Sequence, residues 1–475
     1  MNKQVKAISI FTLAMINVAA VASIRNWPAI AKLGTPAIFY LLLATFLFFI
    51  PTALVSAELA TGWPSRGGVF AWVKEAFGHR TGFLAVWLLW IENVPFYPML
   101  IAFISATVIY PFYPELVSNK IYTVSMIIGI FWLSTILNLF GMKLSSWLST
   151  ICVLVGTIFP GALIILFGLY WLLSGQPLQI PLTLEAVIPK ETDGLSGVVL
   201  FVAAIMGFMG IEMSSVHVRD VENPRKNYPK AIFLSLLIIL TISILGVIAI
   251  AAILPANSVS FTSGVMQAID YMTKAIGLPW LTNWMAIFIA IGALGTLFTW
   301  TIGPTKGLLA AAMNGDLPPF FRRVNKRDVP VNMMITQALI VSALSLLFVL
   351  LPGNTAYWIL VASATPLYLL MYLLLFASAI RLRYTKPNVE RSYRIPGGNF
   401  GMWLVAGAGI VCSVLTILVS LIPSDDLKGV TIGVYAPSLA GGILLASLLP
   451  YIILRFQKPS WKKRLGHERL SETEQ

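Results

Sequence analysis

Apolar runs of membrane-spanning length follow one another along the chain, separated by short polar connections. They fall near residues 7 to 31, 36 to 60, 82 to 110, 121 to 142, 146 to 173, 195 to 217, 229 to 254, 281 to 312, 331 to 351, 355 to 380, 401 to 423 and 431 to 455. Each is long enough to cross a hydrocarbon core of about 30 Å as a helix. The pattern therefore predicts an all-α polytopic membrane protein with about twelve transmembrane helices. A spanning barrel is excluded, because its strands alternate apolar and polar positions in short segments. No connection is long enough for a soluble domain. The expectation is one transmembrane domain over 1–455 and a short basic tail over 456–475. The first run follows Lys3 and Lys6 as a signal peptide would, yet it lacks a small-residue cleavage site and carries Arg25, so it reads as a retained helix.

Composition agrees. Of 475 residues, 58% are hydrophobic and 11% charged, and the mean hydropathy is +0.85, far from a soluble domain. The net charge of +13 needs no polyanionic partner, since basic cytoplasmic loops produce it; no nucleic acid is expected. With the N-terminus inside, Arg66, Lys74, Arg80, Arg219, Arg225, Lys226, Lys230, Arg322, Arg323, Lys326, Arg327, Arg381, Arg383, Lys386, Arg391 and Arg394 all face the cytoplasm, together with the basic tail. The opposite loops hold Lys32, Lys120, Lys190, Lys274 and Lys428. This asymmetry predicts both termini in the cytoplasm; the expected location is a plasma membrane, a bacterial inner membrane.

Catalytic chemistry is not visible. Cys152 and Cys412 lie inside apolar runs, the histidines are scattered, and "GPTKGLL" at 303–309 lacks phosphate-loop spacing. We expect no enzyme, cofactor or metal.

The backbone signals are more informative. A lipid-exposed helix cannot leave N–H and C=O groups unpaired, so an interruption marks a protected cavity. The first run is interrupted by polar residues from Asn17 to Ser23, followed by Arg25, Asn26 and Pro28. The sixth reads "FVAAIMGFMGIEMSSVHVRDVENP", with Gly207 and Gly210 near its middle and Glu212 directly after. Five spans separate the two, the spacing of two inverted five-helix repeats, here about 7–173 and 195–380, followed by two extra helices over 401–455. Half-helix ends offer N–H groups to an anion and carbonyls to a cation. An α-amino acid matches that pair of ends. Packing glycines are the alternative reading.

The motifs "FFIPTALVSAELATGWPSRGGVFAWVKEAFG" (48–78), "GFMGIEMSSVHVRDVENPRKNYPKA" (207–231), "GPTKGLLAAAMNGDLPPFFRRVNKRDVPV" (303–331) and "YRIPGG" (393–398) resemble the amino acid–polyamine–organocation transporter superfamily, and most closely its glutamate/γ-aminobutyrate antiporter branch. The resemblance implies a LeuT-like 5+5 inverted repeat plus two helices, with helices 1 and 6 discontinuous, working by alternating access. Carried over by position, it implies substrate contacts at Val21, Ala22 and Ser23 and at Met206, Gly207, Phe208, Met209 and Gly210. Val-Ala-Ser departs from the Gly-Ser-Gly-like first break of many members and implies a less permissive loop. The chain ends about twenty residues after its last run, so no tail plug is expected. Glu212 matches a family acidic position linked to gating or proton coupling.

Arg25, Glu58, Glu92 and Glu212 lie deepest in the runs, where an unpaired charge costs several kcal/mol. Glu58 is expected to pair at the inner end of the second helix, with Arg66 a candidate partner. Arg25 has four readings: a pair with Glu92, contact with a substrate carboxylate, a cavity in which Glu92 instead binds a second ammonium, or snorkelling to the outer interface beside Trp27. Path-lining candidates are Phe298, Trp300, Tyr368 and Tyr372, for which packing is the alternative. The functional expectation is a secondary active amino acid transporter, an exchanger of glutamate/γ-aminobutyrate-like or neutral amino acids, with proton coupling open. A polyamine or basic amino acid transporter using Glu92 is the alternative, and a non-transporting sensor the third.

Overall fold

A computed structural model describes residues 8–64, 67–140, 151–190, 201–351, 355–423 and 431–461. Eleven helices in it are long and apolar enough to cross a membrane: Ile10–Ala31, Ala37–Gly62, His79–Ile109, Lys120–Asn138, Ile151–Leu173, Lys226–Ile253, Leu281–Met313, Val331–Leu350, Thr355–Thr385, Gly398–Ser420 and Ile432–Arg455. The sixth of the predicted runs supplies a shorter apolar helix, Phe201–Ser215. Counting it in chain order gives spans 1 to 12. Much of the span 4–5 connection, the segment before span 6, Arg66 and residues 462–475 of the basic tail lie outside the described residues.

Span 3 is mostly buried, with 83% of its most apolar window covered, whereas 6% of span 12's is. Span 3 is therefore central and span 12 peripheral. Where helices meet most closely, glycine is required. A Cβ on Gly156 of span 5 would lie 2.0 Å from the backbone N of Gly292 in span 8, and one on Gly295 would lie 2.3 Å from Cys152 Cβ. Such contact maximises dispersion between helices that gain no hydrophobic drive from lipid. Trp27 lies in the same packed region, 2% exposed, its ring against Gly161 and Gly246. It is a buried wedge and not an interface anchor.

Two connections that the sequence reading left without structure are helical. Val69–Phe77 between spans 2 and 3 buries Val69, Phe70, Trp72, Val73 and Ala76. Gly264–Ala275 between spans 7 and 8 buries Val265, Met266, Ala268, Ile269 and Met272. Both are amphipathic, with apolar positions three and four apart. They occupy corresponding places five spans apart.

Proline shapes the site's supports. Pro51 cannot donate to the carbonyl four residues back, and a π-helical turn, Thr45–Phe49, precedes it in span 2. That wide turn carries Phe48, which packs edge-on against Tyr372 with ring centroids 4.9 Å apart, and Phe49, stacked on Phe208 at 4.8 Å. In span 3 the helices His79–Ile91 and Asn93–Ile109 meet at Glu92. Pro95 lacks the N–H that would reach the Ile91 carbonyl, which frees the backbone at this point.

At one end of the bundle, "SAELATGW" of span 2 and "YRIPGG" after span 10 are joined through Glu58. Its carboxylate accepts from Arg383 Nε at 2.5 Å, from Arg383 Nη2 at 2.6 Å and from the Ile395 N–H at 2.8 Å. Arg391 Nη1 stands 3.5 Å away, its guanidinium over the Trp63 ring. Burial pulls Arg391 down from its ordinary pKa, and Glu58 opposes that shift. Among the described residues the partners of Glu58 are thus Arg383 and Arg391, 325 and 333 positions away, the inner-end pairing expected of it; Arg66, the other candidate, lies outside the described residues.

Candidate functional site

Span 1 breaks where expected. Its first helix, Ile10–Val21, ends as Ala22 and Ser23 become extended; a 3-10 turn, Ile24–Asn26, and the helix Trp27–Ala31 then complete the crossing. Pro28 at the start of that last helix explains the restart, since its missing N–H is needed by no helical partner there. The freed carbonyls are partly claimed by span 8: Trp300 Nε1 donates to the Ala20 carbonyl at 3.2 Å and Thr296 to that of Ala19 at 3.4 Å.

Span 6 breaks at Gly207–Gly210, after which Ile211–Asp220 continues as a 3-10 helix. Gly210 has φ +113°, a conformation that favours glycine, and a Cβ there would lie 2.8 Å from the Trp300 ring. Its N–H donates to the Tyr372 hydroxyl at 2.7 Å. Tyr372 in turn donates to Glu212 Oε2, and Tyr368 to Glu212 Oε1, each at 2.5 Å. Glu212 is fully buried. The chain Gly210–Tyr372–Glu212–Tyr368 thus fastens the span 6 break to span 10.

The two breaks face one cavity, enclosed by residues of spans 1, 3, 6, 8 and 10. Of the sequence-predicted residues, Val21, Ser23, Arg25, Glu92, Met206, Met209, Trp300 and Tyr368 line it. The others lie behind its wall. Ala22 is buried, Phe208 faces Phe49, Gly207 and Gly210 bound the turn at the break, and Tyr372 donates to Glu212. Phe298 is buried outside the lining. Asn26, named at the first break, also lines it, and residues that the sequence did not single out complete the wall, among them Asn93, Phe96, Thr296 and Thr365. Asn93 was findable: it follows Glu92 at the span 3 interruption, where its Nδ2 donates to Glu92 Oε1 at 2.5 Å and to the Leu89 carbonyl at 2.7 Å.

Arg25 does not snorkel. It is 3% exposed, with Nη1 donating to the Tyr357 hydroxyl at 3.3 Å and its guanidinium 5.2 Å from the Phe96 ring centre. Nor does it pair with Glu92: among the described residues Arg25 makes no ion pair, although both side chains line the cavity. No group of three or more possible metal ligands occurs among the described residues.

A helical membrane bundle in which two interrupted spans share a charged cavity is built as a permease, and the comparisons place it. The family model for amino acid permeases matches residues 8–445, and the chain belongs to that family: it is an integral, multi-pass membrane transporter. It is 42% identical to an uncharacterised transporter of Legionella pneumophila, over 96% of this chain and 98% of that one. It is 30% identical to a glutamate/γ-aminobutyrate antiporter of Lactococcus lactis, over 98% and 93%. A probable agmatine/putrescine antiporter of Lactococcus lactis is 23% identical over 83% of each chain.

Proposed function

We propose that the protein is a secondary active amino acid carrier that exchanges substrates across a plasma membrane by alternating access, with both ends of the chain in the cytoplasm. The observation that carries this reading is the meeting of the span 1 and span 6 breaks on one cavity that holds both a buried arginine and a buried carboxylate. Backbone N–H groups at Ser23 to Arg25 open the second half of span 1 and suit an α-carboxylate. The two five-span halves form the inverted repeats, and spans 1 and 6 are the moving parts.

In this reading Glu212 governs movement. As a carboxylate it accepts from both Tyr368 and Tyr372. Protonated, it loses its charge and turns one oxygen into a donor, so both tyrosine bonds lose charge assistance, one can reverse direction, and the span 6–span 10 join weakens. A proton can thereby ease the tilt of span 6. Glutamate/γ-aminobutyrate exchange by a relative covering nearly the whole chain supports an amino acid as substrate.

Glu92 favours a second reading. A buried carboxylate in the cavity wall is suited to a second ammonium, as in a polyamine or a basic amino acid, and the agmatine/putrescine relative points the same way. Counterflow in proteoliposomes separates the two. Vesicles preloaded with glutamate, γ-aminobutyrate, a neutral amino acid, arginine or putrescine are offered labelled amino acid with and without a pH gradient. Trans-stimulation by amino acids other than arginine is expected. Stimulation by arginine or putrescine alone transfers the assignment to the second reading, and no flux with any preload rejects both.

A further inference from the structure

We infer that Arg25 is the specificity-determining residue of this cavity and that the substrates it selects are dicarboxylic, acidic amino acids. The inference rests on the amino acid carrier reading and names its substrate class.

A guanidinium has five N–H donors in a fixed fork. Here it is 3% exposed and lines the cavity, yet it makes one long hydrogen bond, 3.3 Å to Tyr357. Its buried Nε has no partner, and it makes no ion pair among the described residues. The contrast within the protein is direct: Arg383, equally buried, has a bidentate carboxylate and two carbonyls. A buried cation left in this condition beside an open cavity is matched by an anion that enters that cavity.

The neighbours position it. Phe96 holds the plane of the guanidinium by a cation–π contact, and the Tyr357 hydroxyl fixes Nη1, leaving the remaining fork for a carboxylate. Glu92 supplies the opposite charge in the same wall. An acidic amino acid then finds a partner for each of its three charges: Arg25 for the side-chain carboxylate, the span 1 break for the α-carboxylate, and Glu92 for the ammonium. Lysine or a diamine would set an ammonium against Arg25. A neutral amino acid would leave the guanidinium unmatched.

Glutamate and glutamine test this, because they share α-groups and shape and differ in side-chain charge. Affinity of the purified protein is measured by ligand-induced thermal stabilisation, and KM and kcat by counterflow in proteoliposomes. The wild type is expected to prefer glutamate by about 10- to 100-fold, the range of a charge-assisted hydrogen-bonded pair. Arg25→Met should bring that ratio near one, and Arg25→Lys should keep part of it. Tyr357→Phe, which retains the ring, should raise KM for glutamate several-fold with kcat little changed. If Arg25→Met does not fold, the lysine and Tyr357 variants carry the test, and the ratio must fall in both. Amino acid exchange with a ratio near one, or a ratio that Arg25→Met leaves in place, overturns the assignment while sparing the carrier reading. Flux confined to arginine or putrescine, or none at all, overturns both.

Discussion

Replacing Glu58 with Gln tests whether the ion-pair cluster at the end of spans 2 and 10 holds the bundle together. Glu58 and Arg383 are both about 2% exposed, and the carboxylate receives two bonds from Arg383, one from the Ile395 N–H and the nearby charge of Arg391. Glutamine keeps the volume but offers one acceptor oxygen, and its amide NH₂ confronts a guanidinium with donors of its own. Arg383 retains the Gly398 and Ile395 carbonyls, which satisfy donors and leave its charge uncompensated. Removing one member of a buried pair costs about 3–5 kcal/mol. Melting shifts per kcal/mol shrink as chains lengthen, so a fall of roughly 3–8 °C in apparent melting temperature is expected for this chain. The assay is thermal unfolding of detergent-solubilised protein, alongside Arg383→Gln and the double variant. Because the residues share one network, the double variant should be at least about 1 kcal/mol more stable than the sum of the singles predicts. A Glu58→Gln protein melting within about 1 °C of wild type, or strictly additive singles, would refute the reasoning, because the pair would then behave like a solvated surface contact.

Three further outcomes are expected. Gly210→Ala places a Cβ 2.8 Å from Trp300 at a φ of +113°; strain of about 1–3 kcal/mol at the break should cut counterflow more than it lowers the melting temperature, and equal effects on both would count against a site there. Glu212→Gln leaves one acceptor for Tyr368 and Tyr372, so exchange should fall at least about tenfold with a flattened pH profile, given the usual size of acid–base contributions; a wild-type profile would remove Glu212 from coupling. Gly156→Leu forces atoms into the backbone of Gly292 and should abolish recovery of folded protein, an overpacking cost well above about 3 kcal/mol, which size-exclusion chromatography of the extracted protein reads directly.

Much of this molecule was determined by sequence, because lipid leaves a chain few choices. A run of apolar residues in a bilayer must pair its own backbone, so the number of spans, the helical class and the two interruptions follow from local composition. The breaks at Val21–Ser23 and Gly207–Gly210 stood out because glycine and polar residues inside such runs have few other reasons to be there. Glu92 and Glu212 stood out because burying charge is costly. Side-chain partners are a different matter, since they depend on which distant helices meet and at what rotation. Nothing near Glu58 in the sequence points to Arg383, 325 residues away, and only packing brings "YRIPGG" against the end of span 2. Nothing local reveals that Arg25 lies under Tyr357 and Phe96 apart from Glu92, that Phe208 turns to Phe49, or that Tyr368 and Tyr372 hold a carboxylate. The amphipathic helices between spans 2 and 3 and between 7 and 8 fall between these cases: their periodicity is present in the sequence, but they are too short and polar to register beside membrane-length runs. The sequence by itself determined the architecture and the positions of the breaks, which are one-dimensional consequences of backbone solvation. The tertiary structure decided which charges are answered and which, like Arg25, are left facing a cavity, because charge pairing is fixed by distances between helices that the chain order does not contain.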